Sequence, residues 1–456
     1  MNQRNFPLRR EIWLLIFGRL LLQLGTGFVL VYAPIYFVNE LGLSATSVGL
    51  AVGLGQLTGL LGRVLGGSLA DTPSVGRQRV LILSAISSAL ADVALVAASD
   101  FSLLLLGNLL MGFGVGLYWP AMDALVADLT PPEASRDAYA LARLADVVGL
   151  GVGIAFGGIL IAVTGLYQLL FMLDGISFGV FGVLLFLCIS DRPASIHEPH
   201  DHVLGWKQAL GDPTLQIFVV VNIMFTLYLS QIDSTIPLYL TNIVKLDNGA
   251  GFSETMISWL FVWHIAFAAV TQLPVARFMR RHSDTRALGA SAILFAAGFF
   301  GIWMAGEGGD RAIMVVMVAL SILSLGMVIY APSGAAFVID IAPPPLRGTY
   351  SAINSMCWAV GYGMGPSLGG MALDASPAIA RQYWIYLVLS GGVCLLVLTE
   401  MRRRVQRRWQ RIEAEMLTPV PEECPLELHS REVRTARTDE PDSNSPLEAI
   451  APQPRP

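Results

Sequence analysis

Residues 361–370 read G-Y-G-M-G-P-S-L-G-G and lie inside an apolar run of the sequence. In water, each glycine inside a helix costs about 1 kcal/mol relative to alanine, and a proline costs about 3 kcal/mol. A helix of this composition is therefore not expected in water. Between helices embedded in lipid, small residues spaced four apart let two backbones approach closely. The stretch predicts a transmembrane helix that packs tightly on a neighbour through Gly361, Gly365 and Gly369, with Pro366 permitting a kink.

The composition of the whole chain is typical of a membrane protein. Its 456 residues are 54% hydrophobic and 14% charged, whereas about a quarter of the residues in soluble domains are charged. A membrane-spanning helix needs about 20 apolar residues. Runs of this kind predict an all-α integral membrane protein with twelve transmembrane helices, at 12–37, 47–70, 79–98, 102–126, 138–164, 167–190, 213–240, 254–279, 287–305, 312–339, 348–374 and 380–400.

The basic residues of the short loops indicate orientation, because such loops stay on the cytoplasmic side. Loops on one side of the predicted spans are rich in arginine, whereas the opposite loops hold only Lys245, Arg311 and Arg381. We therefore expect both termini to be cytoplasmic, in a multi-pass protein of the plasma membrane. The predicted domains are a cytoplasmic N-terminus at 1–11, helical bundles at 12–190 and 213–400, a cytoplasmic linker at 191–212 and a cytoplasmic tail at 401–456, basic at first and then disordered.

The chain contains an internal repeat, in which the fourth and fifth predicted spans recur as the tenth and eleventh. In the fourth span the repeated residues are Gly114, Tyr118, Pro120 and Asp128, which recur as Gly326, Tyr330, Pro332 and Asp340. In the fifth span they are Gly149, Gly153, Gly157 and Gly158, which recur as Gly361, Gly365, Gly369 and Gly370. A duplication in one membrane orientation is typical of transporters whose halves rock around a central site. The repeat therefore predicts two pseudo-symmetric six-helix bundles.

Residues 12–400 resemble the major facilitator superfamily in three motifs. The sequence after the second span is similar to the family's inner-loop gating motif, with matches at Gly67, Asp71, Gly76, Arg77 and Arg79. The stretch 361–370 matches the glycine and proline motif of the family's antiporters. In the fourth span, Asn108 precedes three alternating glycines where the family's drug and proton antiporters have arginine. The resemblance implies alternating-access transport of the drug and proton antiporter type.

Polar residues inside the spans are costly and therefore mark functional sites. The candidates for substrate binding or proton coupling are Arg19, Gln23, Gln56, Arg63, Asn108, Arg143, Asp146, Asp233 and His264. Arg143 and Asp146 lie three residues apart on one helix, which predicts either an ion pair between them or a proton-linked or substrate-linked switch. Asp123 lies at the inner end of its span, where a pair with Arg77 or Arg79 favours a gating role.

Aromatic residues of the spans are predicted either to line a cavity or to fill helix interfaces. They are Tyr118, Trp119, Trp259, Trp263, Tyr330 and Trp358. The loop H-E-P-H-D-H at 197–202 contains metal-ligand residue types, but Pro199 excludes a regular helix and favours a polar linker over a metal site. The sequence has no nucleotide-binding loop or catalytic motif. We therefore expect no cofactor, no metal and no nucleic-acid partner.

The function that the sequence favours is secondary active transport of a small solute through the lipid bilayer by a monomer. Proton-coupled efflux of amphipathic or drug-like compounds is the favoured form. A carrier of an anionic metabolite, recognised by Arg19, Arg63 and Arg143, is the alternative. A membrane enzyme or sensor is a remote alternative, because the histidine loop is its sole support.

Overall fold

The structure is a computed structural model that describes residues 10–70, 72, 74–131, 134–189, 202–279, 281–343 and 346–417. Contacts divide the chain into a unit that ends at Arg407 and a second that starts at Arg408. Four predicted features lie at least partly outside the described residues. They are the N-terminal segment before Arg10, Asp71 of the gating motif, most of the histidine loop, and the tail beyond Leu417.

The described chain folds into twelve long helices and one short linker helix, His202–Leu210. The long helices are α1 (Arg10–Glu40), α2 (Ala45–Ala70), α3 (Gly76–Val96), α4 (Phe101–Leu129), α5 (Ser135–Thr164), α6 (Gln168–Cys188), α7 (Pro213–Asn242), α8 (Glu254–Met279), α9 (Asp284–Ala305), α10 (Arg311–Ile341), α11 (Arg347–Ala375) and α12 (Pro377–Leu417). Eleven of these have segments long and apolar enough to cross a membrane. The remaining one is α11, whose 29 residues include the glycine-rich stretch 361–370.

Local sequence signals set several of the helix ends. The Asp100 side chain accepts from the Leu103 amide over 3.0 Å at the start of α4, and the Asp212 side chain accepts from the Thr214 amide over 2.8 Å at the start of α7. These contacts satisfy amide groups that have no partner within a helix. At the end of α5, Gly165 adopts a φ of 67°, a conformation that glycine adopts without steric cost.

The helix packing repeats between the two halves of the chain. In the first half α1 packs on α5, α2 on α4, and α3 on α4; in the second half α7 packs on α11, α8 on α10, and α9 on α10. The two main contacts between the halves also correspond, since α2 packs on α11 and α8 packs on α5. The duplication read from the sequence therefore appears in the packing as a pseudo-two-fold relation.

The glycines of α5 sit where a side chain would collide with a neighbour. A methyl carbon on Gly153 would overlap the Leu24 carbonyl oxygen of α1, and one on Gly149 would overlap that of Leu20. The fourth glycine, Gly158, instead faces the Ser258 side chain of α8. The first three glycines, including Gly157, thus hold α5 against α1, and the fourth holds α5 against the other half.

The glycines of α11 repeat this arrangement. Gly361, Gly365 and Gly369 face the side chains of Thr226, Ser230 and Thr235 on α7, and Gly370 faces the backbone of Ala45 at the start of α2. Close backbone packing of this kind stabilises helix association in lipid. The glycines that weaken an isolated helix therefore fit α11 to two neighbours.

The bundle has two ends, which we call inner and outer. The inner end carries the C-terminal ends of α2, α4 and α10 together with the linker helix, and the outer end carries the connections 41–44, 165–167 and 243–253. The linker helix was not predicted from the sequence, because nine residues of mixed polarity give no transmembrane signal.

Candidate functional site

A cavity of about 790 Å³ lies in the inner half of the bundle. Its wall is formed by α1, α2, α4, α5, the linker helix and the first turns of α11, so both halves of the chain contribute. The lining is aromatic and cationic. It includes Arg19, Arg63, Trp119, Asp123, Tyr139, Arg143, Trp206, Asn354 and Trp358. Its size suits a drug-sized ligand, because pockets for such ligands measure about 300–1,000 Å³.

A second cavity, of about 350 Å³, lies next to the first on the side of the outer end. Arg63, Trp119 and Trp358 line both cavities and therefore mark their junction. The second lining adds neutral polar and aromatic groups, namely Gln23, Thr26, Gln56, Tyr118 and Tyr362. The larger cavity is therefore charged and aromatic, whereas the smaller one is neutral apart from Arg63 at the junction.

A buried ion pair joins α1 to α5 in the wall of the larger cavity. The Nε atom of Arg19 donates to Oδ1 of Asp146 over 3.0 Å, and Nη2 donates to Oδ2 over 2.5 Å. Arg19 is 3% exposed and Asp146 is 5% exposed, so both charges are removed from water. Two parallel hydrogen bonds give the strongest arginine–carboxylate geometry. Sequence spacing alone missed this contact, because the two residues are 127 positions apart.

Two further charges stand beside this pair. Nη1 of Arg143 lies 3.7 Å from Oδ2 of Asp146, so the pair predicted from sequence is present as a longer contact. Oδ1 of Asp123 lies 3.5 Å from Nη1 of Arg19. The Arg143 and Asp123 side chains are 67% and 55% exposed and line the cavity. The Arg19 guanidinium also lies 5.4 Å from the centre of the Trp119 ring, within cation–π range.

Arg63 differs from the other arginines of the cavity in having no carboxylate partner among the described residues. Its Nη1 lies 3.4 Å from the backbone oxygen of Ser355, which is its one described hydrogen bond. Nearby on α4, Asn108 lines a small cavity of about 90 Å³ with Gln56 and Arg63. The Asn108 side chain donates to the Leu104 carbonyl over 2.9 Å, so one of its amide hydrogens is already used.

The inner-loop gating motif lies at the inner end of α2 and α3. Arg77 forms an ion pair with Asp128 and donates to the Ala124 carbonyl over 2.8 Å, which ties the start of α3 to the end of α4. Arg79 donates to the Ser74 carbonyl over 2.7 Å. Gly76 has a φ of 76°, which favours glycine at this turn. The structure thus pairs Arg77 with Asp128 and Asp123 with Arg19.

The sequence profile of the Major Facilitator Superfamily matches this chain twice, over residues 15–251 and 242–440. The chain belongs to this superfamily. Among curated relatives, multidrug resistance protein MdtH of Aeromonas hydrophila is 28% identical over 85% of this chain and 94% of its own length. The uncharacterized MFS-type transporter YqjV of Bacillus subtilis is 25% identical over 83% of this chain and 90% of its own length.

Solved structures of other transporters share the fold. The nucleoside transporter NupG superposes with a TM-score of 0.74 at 12% identity, covering 86% of this chain and 99% of that one. The peptide transporter POT superposes with a TM-score of 0.72 at 15% identity, covering 89% and 96%. The family and fold class predicted from the sequence are therefore confirmed. The relatives are transporters and not enzymes, so this chain is a multi-pass membrane transporter of small molecules.

In this superfamily member the outer end is closed by polar contacts between the halves. The Asp374 carboxylate at the end of α11 accepts from the backbone amides of Ala45 and Thr46 over 3.0 and 2.8 Å, and so caps α2. Tyr167 donates to Glu254 of α8 over 2.9 Å. Burial and the Glu254 carboxylate raise the pKa of Tyr167, so its hydroxyl remains a donor at neutral pH.

The two candidates of the second half lie in different surroundings. Tyr362 donates to Oδ2 of Asp233 over 3.3 Å, which places Asp233 behind a residue that lines the smaller cavity. His264 is buried between α8 and α10, where its Nδ1 lies 2.7 Å from the Ser324 hydroxyl and 3.2 Å from the Leu320 carbonyl. Among the described residues, no three His, Cys, Asp or Glu side chains are grouped so as to hold a metal ion.

The predicted aromatic residues divide into three groups. Trp119, Trp358 and Tyr118 line the cavities. Tyr330 is buried and stacks on Phe225, with ring centres 4.6 Å apart. The remaining two are at the surface of the bundle, where Trp259 is 66% exposed and Trp263 is 43% exposed.

Two aromatic residues of the larger cavity were not predicted from the sequence. Tyr139 is one, and its neighbour Arg143 one helical turn later was the available signal. Trp206 of the linker helix is the other, and the sequence gave no sign that this segment would reach the cavity.

Proposed function

We propose that this transporter is a secondary active exporter of amphipathic, drug-like compounds, driven by exchange for protons. The observation that carries the proposal is the larger cavity, which is lined by three tryptophans and by Arg19, the residue that forms the buried ion pair with Asp146. Aromatic side chains bind apolar bodies of varied shape. The relatives named multidrug resistance proteins support the same substrate class.

The ion pair supplies a route for coupling. A proton on Asp146 removes the charge that holds Arg19, and the contact between α1 and α5 then loses its two strong hydrogen bonds. Arg143 and Asp123 lie close enough to take over as partners. Proton binding thereby changes the charge and shape of the cavity wall at the place where substrate lies.

The packing supports an inward-facing arrangement, with the outer end closed and the larger cavity at the inner end. We further propose that both termini are cytoplasmic, that the protein resides in the plasma membrane as a monomer, and that residues 12–190 and 213–400 are the two moving bundles. The arginine-rich loops that coincide with the inner end support this orientation.

The test is a transport assay in proteoliposomes with an imposed pH gradient and a pH-sensitive dye inside. We expect phenylnaphthylamine, an uncharged aromatic amphiphile, to move against its gradient with opposite movement of protons. Asp146→Asn should abolish the exchange. Asp247→Asn, which changes an exposed acid of an outer loop, should retain it. Transport unaffected by the pH gradient would reject proton coupling, and absence of any transport would reject the proposed function.

A further inference from the structure

The ionisable groups that line the larger cavity do not balance in charge. Three arginines line it, and the carboxylates that face them are Asp123 and Asp146. Both carboxylates lie on the side of the cavity formed by α4 and α5, in contact with Arg19 and Arg143. Arg63 lies on α2, and one positive charge is left over at its position.

The surroundings of Arg63 leave its hydrogen-bonding groups largely unused. A guanidinium carries five N–H donors and no acceptor. Among described residues, the one acceptor within hydrogen-bonding distance is the Ser355 carbonyl, at 3.4 Å from Nη1. The side chain is half-buried between two helices, where an uncompensated charge is costly. A ligand with an anionic group would supply both the missing charge and the missing acceptors.

The position of Arg63 also fixes what the rest of such a ligand must be. Arg63 stands where the two cavities meet, together with Trp119 and Trp358. Beyond it the smaller cavity is lined by neutral side chains, such as those of Tyr118 and Tyr362. An acidic group held at the junction therefore places its attached body next to the two indoles and in a chamber whose other side chains are uncharged.

We propose that Arg63 selects substrates by their charge. The preferred substrates of this transporter are then aromatic organic anions with a carboxylate, sulfonate or phosphate group. The inference rests on the proposed export function and narrows its substrate class. The planar guanidinium binds any of these groups through two parallel hydrogen bonds. The aromatic body is bound by Trp119 and Trp358.

The test compares two probes that share one scaffold. Anilinonaphthalene sulfonate is an aromatic anion, and phenylnaphthylamine is the same ring system without the sulfonate. Binding of each labelled probe is measured by equilibrium dialysis on protein in lipid nanodiscs, with empty nanodiscs subtracted, and transport is measured in proteoliposomes. The variants are Arg63→Gln, Arg63→Lys, and the control Arg286→Gln, which removes an exposed charge at the start of α9.

We expect Arg63→Gln to lose about tenfold or more in affinity for the sulfonate, because a hydrogen-bonded charge pair is removed. Affinity for phenylnaphthylamine should change less than twofold by the same reasoning. Arg63→Lys should recover part of the loss, and Arg286→Gln should bind like the wild type. Equal losses for both probes would show a structural role for Arg63 and overturn the inference.

The two proposals fail in different ways. If both probes are transported but Arg63→Gln leaves sulfonate binding unchanged, the substrate class is wrong and export stands. If wild-type protein moves neither probe under a pH gradient, the export proposal fails. The binding comparison then decides the role of Arg63 by itself, and unchanged sulfonate affinity in Arg63→Gln would refute it.

Discussion

Replacing Gly370 by alanine should shift this transporter from the closed to the open state at its outer end. Gly370 is the glycine of the α11 motif that touches the other half of the protein, at Ala45 of α2. Gly365 lies in the same motif but faces Ser230 and Gln231 of α7 in its own half. The two alanine variants therefore form a matched pair. Gly370→Ala introduces a steric clash at a contact that opens during transport. Gly365→Ala introduces a clash at a contact within one bundle.

The size of the effect follows from the packing at Gly370. A methyl carbon there would lie 2.5 Å from the carbonyl carbon of Ala45 and 2.7 Å from the amide nitrogen of Thr46. The carbonyl oxygen of Ala45 would be nearer still, and ordinary contact begins at 3.4 Å, so α2 and α11 must separate locally by about 1 Å. Overpacking of this kind costs about 1–3 kcal/mol. Since the cost falls on the closed state alone, the open population should rise about fivefold or more.

The assay is labelling of a cysteine in the smaller cavity by a membrane-impermeant maleimide added at the outer side. Gln56→Cys provides the site in a chain whose native cysteines are replaced by serine. We expect Gly370→Ala to raise the labelling rate about fivefold or more. Gly365→Ala should lower thermal stability in detergent without raising the rate. Equal labelling rates in the two variants would refute the assignment of Gly370 to the moving interface.

Three further predictions concern the ion pair, the cap and the aromatic wall. Asp146→Leu should destabilise the protein by about 3 kcal/mol in thermal unfolding, because buried Arg19 loses its partner; wild-type stability would contradict this. Asp374→Ala removes the cap of α2, which is worth about 0.5–2 kcal/mol, and should raise the same maleimide labelling rate. A lower labelling rate would show that this cap does not close the outer end. Trp358→Ala should weaken phenylnaphthylamine binding about tenfold while leaving the Arg63-dependent preference for the sulfonate in place; loss of that preference would link the two groups.

The helices were predictable from the sequence because each depends on its own stretch of chain. Most predicted spans match the helices to within about three residues at each end. The observed α12 departs most, because it continues to Leu417 through an arginine-rich stretch beyond its apolar part. The repeat of four glycines also predicted close packing, since small residues at fixed spacing have few other uses in a membrane helix.

The partners of the polar residues were not predictable, since they depend on which helices become neighbours. Asp146 has Arg143 on its own helix, but its two short hydrogen bonds come from Arg19, on α1. Residue spacing along one helix identifies only Arg143 as a partner of Asp146. Trp206 shows the same limit, because a residue of a polar connection enters the cavity only through the arrangement of both halves.

The halves of the protein contact each other mainly at two interfaces, α2 with α11 and α5 with α8. These interfaces differ in how water and lipid would enter them when the halves separate. Where α2 packs on α11 away from the Asp374 cap, the groups nearest Gly49 and Gly53 are backbone atoms of Pro366 and Gly363 inside α11, and the polar groups of a helix backbone are bonded within the helix. An acyl chain can fill such a gap without stranding a polar group. Where α5 and α8 part, the hydroxyl of Tyr32 on the adjacent α1 separates from that of Ser258 on α8, and both hydroxyls then need water. The opened protein would thus have one wettable side and one side that a lipid tail can seal.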